Sequence, residues 1–171
     1  MIKITFPDGS VREYAKGTTA YQIAESISPR LAADSLAAAV NGATVDMTRP
    51  IEEDASVKFY KWDDEEGKHA FWHTSSHLLA EALEALYPGI KFGIGPAIEN
   101  GFYYDVDLGD TKLTDDDLAN IEKEMRKICK ENLAIKPFIL PRDEAVKLME
   151  ERQEHYKIEH MADLADETEF S

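Results

Sequence analysis

Two histidines four residues apart, His73 and His77, form the short stretch of this sequence that is best suited to chemistry. Residues at this spacing share one face of a helix, with Cβ atoms about 5–6 Å apart. Two imidazoles so placed can orient one water molecule, flank one substrate hydroxyl, or supply two ligands to a metal. Thr74 stands where the zinc-protease motif HExxH has its glutamate, so that mechanism lacks its general base. The bare spacing also occurs by chance on many helices, and it does not choose among the remaining roles.

A second candidate segment spans 91–108, where turn glycines precede aromatic residues. Gly95 could let a nucleotide approach the backbone closely, because glycine has no side chain. Tyr103 and Tyr104, in a strand predicted over 102–107, could stack on a base, which is worth about 1–3 kcal/mol per base in single-stranded recognition. The structural alternative is that the glycines only form turns and the tyrosines only fill a core. The residues leave both interpretations open.

Charge and composition limit the classes of protein to which the chain can belong. Thirty-four acidic and nineteen basic residues give a net charge of −15, which repels phosphates and disfavours tight, unspecific binding of nucleic acid. No apolar run approaches the roughly 20 residues that cross a bilayer, and the start of the chain lacks the features of a signal peptide. We therefore expect a cytoplasmic protein without a membrane partner. The single cysteine, Cys129, shares a helical face with Ile121 and Met125, which predicts a small buried core residue.

The elements that position these residues fall into two parts. In residues 1–62, apolar and polar residues alternate on both sides of a turn at 7–10, which predicts a hairpin. A helix capped by Thr18 or Thr19 follows, and a strand at 57–60 ends this part of the chain. Hairpin, helix and closing strand predict a ubiquitin-like β-grasp domain. The charged stretch 63–69 ends in a glycine, a lysine and a histidine, and it predicts an exposed connection.

Residues 70–171 predict a second α+β domain, with a sheet packed around a central helix that carries the two histidines. Apolar spacing predicts that this helix covers 75–86. Thr114 and Asp117 resemble a capping box for a helix that reaches about Asn132. A strand is predicted at 135–140, and a helix that Pro141 opens is predicted to extend to about Glu154. Fold class α+β is the prediction for the whole chain.

A family resemblance becomes visible when these segments are taken together. Trp72–Leu79, followed by Lys91–Asp107, is similar to the editing domain of bacterial threonyl-tRNA synthetases, and a related pattern occurs in alanyl-tRNA synthetases. Thr5–Ser10 and Val40–Gly42 resemble the TGS domain that precedes the editing domain in the threonyl enzymes. The order of the two domains favours the threonyl family, as its N-terminal region.

The resemblance implies both an activity and roles for residues. The parent enzymes ligate threonine to its tRNA with ATP, and their editing domain hydrolyses serine mischarged onto the threonine tRNA. His73 and His77 would position water and the terminal ribose, and Lys157 aligns with a lysine of the same pocket. The alternative for Lys157 is a solvated surface residue. His69, His155 and His160 receive no role: the first lies in the predicted connection, and the other two lie in an acidic tail predicted to be exposed.

The sequence also departs from the family pattern. A later cysteine and histidine, four residues apart, complete the editing pocket in the family, and this sequence has no such pair. We therefore expect an editing domain that is incomplete at its C-terminus, in a fragment that is inactive by itself and holds no metal or cofactor. ATP, magnesium and a zinc ion are implied for the parent's absent aminoacylation core, the acceptor end of tRNA(Thr) carrying serine is the implied partner, and absent domains would form a homodimer.

Two alternatives remain at this point. One is a free-standing, metal-dependent trans-editing hydrolase of the alanyl type, against which the missing cysteine–histidine pair and the leading β-grasp domain both count. The other is a non-catalytic regulatory module that binds a ligand or RNA through its TGS domain. TGS domains also occur in GTPases, but nothing here resembles the phosphate-binding loop GxxxxGK[ST].

Overall fold

The computed structural model describes residues 1–170, and these form two compact units. Unit 1 comprises residues 1–73 together with 98–101, and unit 2 comprises 74–97 together with the residues from 102 onward. The division falls inside one continuous helix, Glu65–Leu86. No helix among residues 1–170 has both the length and the apolar character that a membrane crossing requires.

Unit 1 is built on a five-stranded mixed sheet. The sheet strands are β1 Ile2–Thr5, β2 Val11–Tyr14, β4 Ala37–Val40, β5 Ala43–Val45 and β7 Ala55–Tyr60, and two further strands, β3 Thr18–Thr19 and β6 Pro50–Ile51, pair with each other. Its complete helices are α1 Ala20–Ile27 and α2 Pro29–Asp34. The sheet order is β2-β1-β7-β4-β5, with β1 and β7 parallel in the centre and the other neighbours antiparallel. The β-grasp prediction is confirmed.

The core of unit 1 follows from two periodicities. Ile2 and Ile4 alternate with polar residues on β1 and are buried, and Ile23 on α1 packs against them. Helix α1 begins with a capping box: Thr19 accepts from the Gln22 amide at 3.2 Å, and the Gln22 side chain accepts from the Thr19 amide at 2.9 Å. Of the two predicted caps, the structure uses Thr19.

The hairpin between β4 and β5 has the two-residue turn that its sequence predicts. Val40 pairs with Ala43, and between them Asn41 and Gly42 both have positive φ values, 51° and 83°. A type I′ turn requires this conformation at both positions, and Asn-Gly adopts it at little cost. The turn fixes the register of the β4–β5 pair.

The helix that carries the histidines is longer than predicted. Helix α3 covers Glu65–Leu86, so most of the stretch 63–69, predicted as an exposed connection, is instead its first turns. Glu65 and Glu66 lie in the first turn, where negative charge complements the partial positive charge of a helix N-terminus. The charge that suggested a connection therefore favours the start of a helix.

The rest of the chain combines helices with short ladders. From residue 74 onward the remaining strands are β8 Lys91–Phe92, β9 Ala97–Ile98, β10 Gly101–Phe102, β11 Val106–Asp107, β12 Leu140–Pro141 and β13 Glu169–Phe170. The remaining helices are α4 Asp115–Glu131, α5 Arg142–Glu151 and α6 His155–Asp163. Within residues 1–170 these strands pair in twos: β8 with β11, β9 with β10, and β12 with β13. The α+β class is confirmed.

The core of unit 2 lies between α3, the β8–β11 ladder and α4. Leu83, Phe92 and Ile121 are buried there, and Tyr104 packs against them. Helix α4 has the predicted ends: Thr114 forms the capping box with Asp117, and Asn132 ends the helix in the left-handed conformation with φ 48°. The Thr114 hydroxyl and the Thr114 amide both donate to the Asp117 carboxylate, at 2.6 and 2.8 Å. These hydrogen bonds hold the pKa of Asp117 below its ordinary value.

Four predictions for this region are wrong in part. The predicted strand 102–107 is interrupted at 103–105, and the strand predicted at 135–140 is formed only at Leu140. The helix predicted from Pro141 to about Glu154 ends at Glu151, and α6 follows it. Cys129 is exposed, because α4 contacts the core through Ile121 and Met125 and its last turn extends beyond that contact.

Candidate functional site

Helix α3 presents a row of histidines. His73 and His77 are one turn apart on α3 and both are exposed, whereas Ala82 and Leu83 further along the same helix are buried. His69 lies one turn before His73, and the two imidazoles are nearly parallel, with ring centroids 6.2 Å apart and an angle of 8° between planes. The predicted pair is therefore the second and third members of a regular series.

Sequence reasoning missed His69 because it assigned the residue to a connection. The spacing from His69 to His73 equals that from His73 to His77, so a helix that begins before residue 69 carries all three histidines on one face. Within residues 1–170 no three His, Cys, Asp or Glu side chains are grouped so as to hold a metal ion.

Tyr104 and Gly95 are in direct contact in unit 2. Tyr104 is half-buried, with its ring edge-on to Phe92 at 5.5 Å between centroids and 73° between planes. The ring covers the Cα of Gly95 so closely that a Cβ there would lie 2.7 Å from the Tyr104 Cγ. Glycine at position 95 is thus required by the tyrosine. Burial raises the pKa of the Tyr104 hydroxyl, and the nearby charge of Glu154 raises it further.

The substitution Gly95→Ala is expected to displace the Tyr104 ring, because the added methyl group occupies the space of the ring. A displaced ring loses part of its burial, so the pKa of its hydroxyl should fall toward the ordinary value. The ¹³Cζ resonance of Tyr104, followed by NMR against pH, measures this. Gly89→Ala is the control: at φ 89° the alanine strains the backbone, but its Cβ meets no atom within 4 Å, so it should destabilise the protein without displacing the Tyr104 ring. An unchanged Tyr104 titration in Gly95→Ala would contradict the packing described here.

Lys157 joins the same region through a carboxylate. On α6, its Nζ donates to Glu154 Oε1 at 3.0 Å; the Glu154 side chain is 13% exposed and that of Lys157 is 44% exposed. Because the charge of Glu154 also acts on Tyr104, the structure groups Tyr104, Glu154 and Lys157. Glu154 was not singled out from the sequence, although its spacing of three residues before Lys157 is typical of a helical ion pair. Tyr103 does not join this group and is 54% exposed.

A cavity of about 400 Å³ adjoins this group, within the size range of small-molecule sites. Its walls come mainly from α5, α6, β12 and β13, with apolar side chains such as Leu148 and Met161. Arg152, Lys157 and His160 also line the cavity and supply its charged and polar groups. His155 and His160 are both exposed, as the acidic tail predicted.

Comparison with known proteins identifies a family for the first part of the chain and relatives for nearly all of it. The TGS domain family matches residues 2–61. The chain is 61% identical over 168 residues to the threonine-tRNA ligase of Parabacteroides distasonis, which covers 98% of this chain and 26% of that protein. It is 60% identical over 166 residues to the ligase of Bacteroides thetaiotaomicron and 53% identical over 166 residues to that of Cytophaga hutchinsonii.

The chain thus spans about a quarter of the length of the curated relatives it matches. The match extends far beyond residue 61, so it includes the helix with the histidines and the cluster around Glu154. The chain carries a TGS domain and is, over nearly its whole length, homologous to the N-terminal region of the threonine-tRNA ligases, the threonyl-tRNA synthetases.

Proposed function

We propose that this chain acts within a threonine-tRNA ligase as the proofreading region, which hydrolyses the ester of serine mischarged onto tRNA(Thr). The observation that carries the proposal is the placement of His73 and His77, one turn apart and exposed on α3. Homology to the ligases over nearly the whole chain supplies the context. The parent activity is then the ATP-dependent ligation of threonine to its tRNA.

Such a ligase needs a second site for an energetic reason. Serine lacks one methyl group of threonine, and a pocket gains only about 1–3 kcal/mol from such a group, which is roughly 10–200-fold in selectivity. A hydrolytic site that accepts the smaller product corrects the remaining errors. It can exclude threonyl-tRNA sterically, because threonine carries the extra methyl group.

The side chains suit the hydrolysis of an ester. A water molecule oriented by His73 and His77 attacks the carbonyl carbon of the seryl ester, and an imidazole accepts its proton. The ammonium group of Lys157 stabilises the negative charge that develops on the carbonyl oxygen. Collapse of the tetrahedral intermediate breaks the bond to the ribose oxygen, which takes up a proton, and serine and tRNA are released.

Glu154 has a positioning role in this proposal. Its carboxylate, mostly buried, holds the Lys157 ammonium at 3.0 Å and thereby limits the positions that the lysine can adopt. The Tyr104 ring, which lies on Gly95, would stack on the terminal adenosine, and exposed Tyr103 would contribute a second ring; Gly95 serves the site by making room for Tyr104, not by direct contact with the nucleotide. A net charge of −15 indicates that other regions of the ligase supply most of the contacts to tRNA phosphates.

The test is the release of serine from seryl-tRNA(Thr). Two proteins are compared: the 171-residue chain, and a chimaera in which it replaces the matching region of the Parabacteroides distasonis ligase. We expect the chimaera to release serine far faster than spontaneous hydrolysis, and the 171-residue chain to match the spontaneous rate. Threonyl-tRNA(Thr) is the control substrate and should remain charged.

Two results would contradict the proposal. Failure of the chimaera to accelerate serine release would remove the proofreading role. Release that EDTA abolishes and zinc restores would instead favour the metal-dependent hydrolase of the alanyl type. We propose that ATP, magnesium and zinc bind to the ligase outside residues 1–171, that its subunits pair there, and that it acts in the cytoplasm.

A further inference from the structure

The segment 133–139 exposes more apolar surface than any function described so far explains. Leu133, Ile135, Phe138 and Ile139 are exposed to 63%, 78%, 58% and 65%, and the segment has neither helical nor strand structure. Apolar, β-branched and aromatic residues on both sides of Lys136 and Pro137 are typical of a strand, and the proline restricts that strand to an edge on which its nitrogen needs no partner. The sequence therefore encodes a strand whose neighbour is not supplied by residues 1–170.

The short ladder at the end of this segment fixes where a neighbour would lie. β12 and β13 are antiparallel, with Leu140 opposite Phe170, and the Arg142 amide donates to the Thr168 carbonyl at 2.9 Å. In an antiparallel ladder hydrogen-bonded pairs alternate with pairs that are not hydrogen-bonded. Counting back from Arg142 in steps of two, the backbone groups of Leu140, Phe138 and Lys136 face the side on which β13 lies.

The prolines of this segment agree with that assignment. Pro137 and Pro141 occupy the alternate positions, whose backbone nitrogens face the opposite edge. A proline lacks the N–H donor, so it interrupts a ladder only on the side that its nitrogen faces. The edge toward β13 therefore keeps all its donors, whereas the opposite edge lacks two.

Arg142 binds the segment that leads into β13. The Arg142 guanidinium donates to the carbonyls of Met161, Leu164 and Glu167, at 2.5, 2.7 and 2.9 Å, and lies 5.5 Å from the centroid of the Phe170 ring. These bonds fix the chain that leads from α6 into β13. Phe138, Leu140 and Phe170 line the same cavity, as expected for side chains on one face of a single ladder.

We propose that residues 133–139 are a docking edge for an extended apolar strand, which continues β13 antiparallel in a ligase of the relatives' length. Those relatives are about four times as long as this chain, since it covers 26% of them. In the observed register, the second residue after Phe170 faces Phe138 and the fifth faces Ile135. The added strand closes one side of the cavity beside Lys157. The proposal rests on pairing and exposure, and it holds whether or not the region hydrolyses an ester.

Hydrogen–deuterium exchange tests the pairing directly, with the 171-residue chain compared to the chimaera described above. We expect the amides of Lys136 and Phe138 to exchange at least roughly 100-fold more slowly in the chimaera, because only there are they in a ladder. The amides of Ile135 and Ile139 are the internal control and should change less. Equal exchange of Lys136 and Phe138 in both proteins would overturn the proposal.

Two further outcomes would also overturn it. Protection of Ile135 and Ile139 in place of Lys136 and Phe138 would put the new strand on the opposite edge. If Lys136 and Phe138 are already protected in the 171-residue chain, if this protection increases with protein concentration, and if sedimentation shows a dimer, then a second copy covers the segment.

A substitution adds a readout that does not depend on exchange. Ile135→Lys should leave the thermal midpoint of the 171-residue chain unchanged, since the side chain is 78% exposed there. In the chimaera the same substitution should lower the midpoint of the first thermal unfolding transition by about 4 °C or more, because docking of the added strand would bury the lysine charge. Val11→Lys, at a 55% exposed strand position of unit 1, is the matched control and should act alike in both proteins. An equal effect of Ile135→Lys in both proteins would contradict docking.

Discussion

Replacing both His73 and His77 by alanine in the chimaeric ligase is expected to slow serine release from seryl-tRNA(Thr) by about 10²–10⁴-fold, the usual contribution of acid–base catalysis. Both side chains are exposed on α3, so their removal should leave the packing of Ala82 and Leu83 intact. Ligation of threonine should proceed at the original rate, because we propose that it takes place outside residues 1–171. Pre-charged seryl-tRNA(Thr) and threonine ligation, assayed on the same preparation, measure the two activities.

His69→Ala is the matched control for this prediction. It removes the same side chain from the same helix one turn away, where the imidazole lies parallel to that of His73 at 6.2 Å. We expect a much smaller loss than for the double variant. A loss as large as that of the double variant would make His69 a member of the site. Unchanged serine release by the double variant would exclude the catalytic role of both histidines.

Variants of Lys157 and Glu154 distinguish a catalytic residue from a positioning residue in the same serine-release assay. Lys157→Ala removes the cation assigned to the developing oxyanion, whereas Glu154→Gln keeps the shape of the side chain and releases the lysine from its 3.0 Å ion pair. An interaction made only in the transition state lowers kcat and kcat/KM equally. The two variants thus distinguish a residue that touches the reacting ester from one that acts through another.

The elements that were predicted correctly are those determined by residues close to one another in the sequence. The capping boxes at Thr19 and Thr114 depend on residues three positions apart, and the Asn41-Gly42 turn depends on two adjacent residues. The alternation of Ile2 and Ile4 gave the buried face of β1 in the same way. Each of these features is set within one turn or one hairpin, so a single sequence is sufficient to predict it.

The predictions were wrong where contacts between residues far apart in the sequence determine the structure. Whether 135–140 becomes a strand depends on a neighbouring strand, and among residues 1–170 only Leu140 and Pro141 find one, in β13. Glu154 could not be recognised as part of the candidate site, because its effect on Tyr104 follows from how α6 returns beside the glycine-rich segment. The start of α3 was misplaced because charge alone does not distinguish an exposed connection from a helix N-terminus.

Gly67→Ala is expected to destabilise unit 1, although the position lies inside a helix. Helix propensity alone predicts a gain of about 1 kcal/mol from this exchange. In the structure, however, a Cβ at Gly67 would lie against the carbonyl group of Lys61, 2.8 Å from its carbon atom. That carbonyl accepts from the Asp64 amide at 3.1 Å, and the Asp64 side chain accepts from the Lys61 amide at 2.9 Å. Displacement of Lys61 therefore disturbs both bonds of the turn that starts α3.

Because the obstructing atoms belong to the backbone, no change of rotamer relieves the clash, and we expect a net loss of about 1–3 kcal/mol. This corresponds to a fall in midpoint of roughly 4–8 °C per kcal/mol for a domain of this size. Trp62 and Trp72, the two tryptophans of the chain, both lie in unit 1 and report its unfolding by fluorescence. Glu25→Ala, at an exposed position of helix α1 in the same unit, is the control and should change the midpoint little. A higher midpoint for Gly67→Ala would mean that propensity outweighs packing at this helix start.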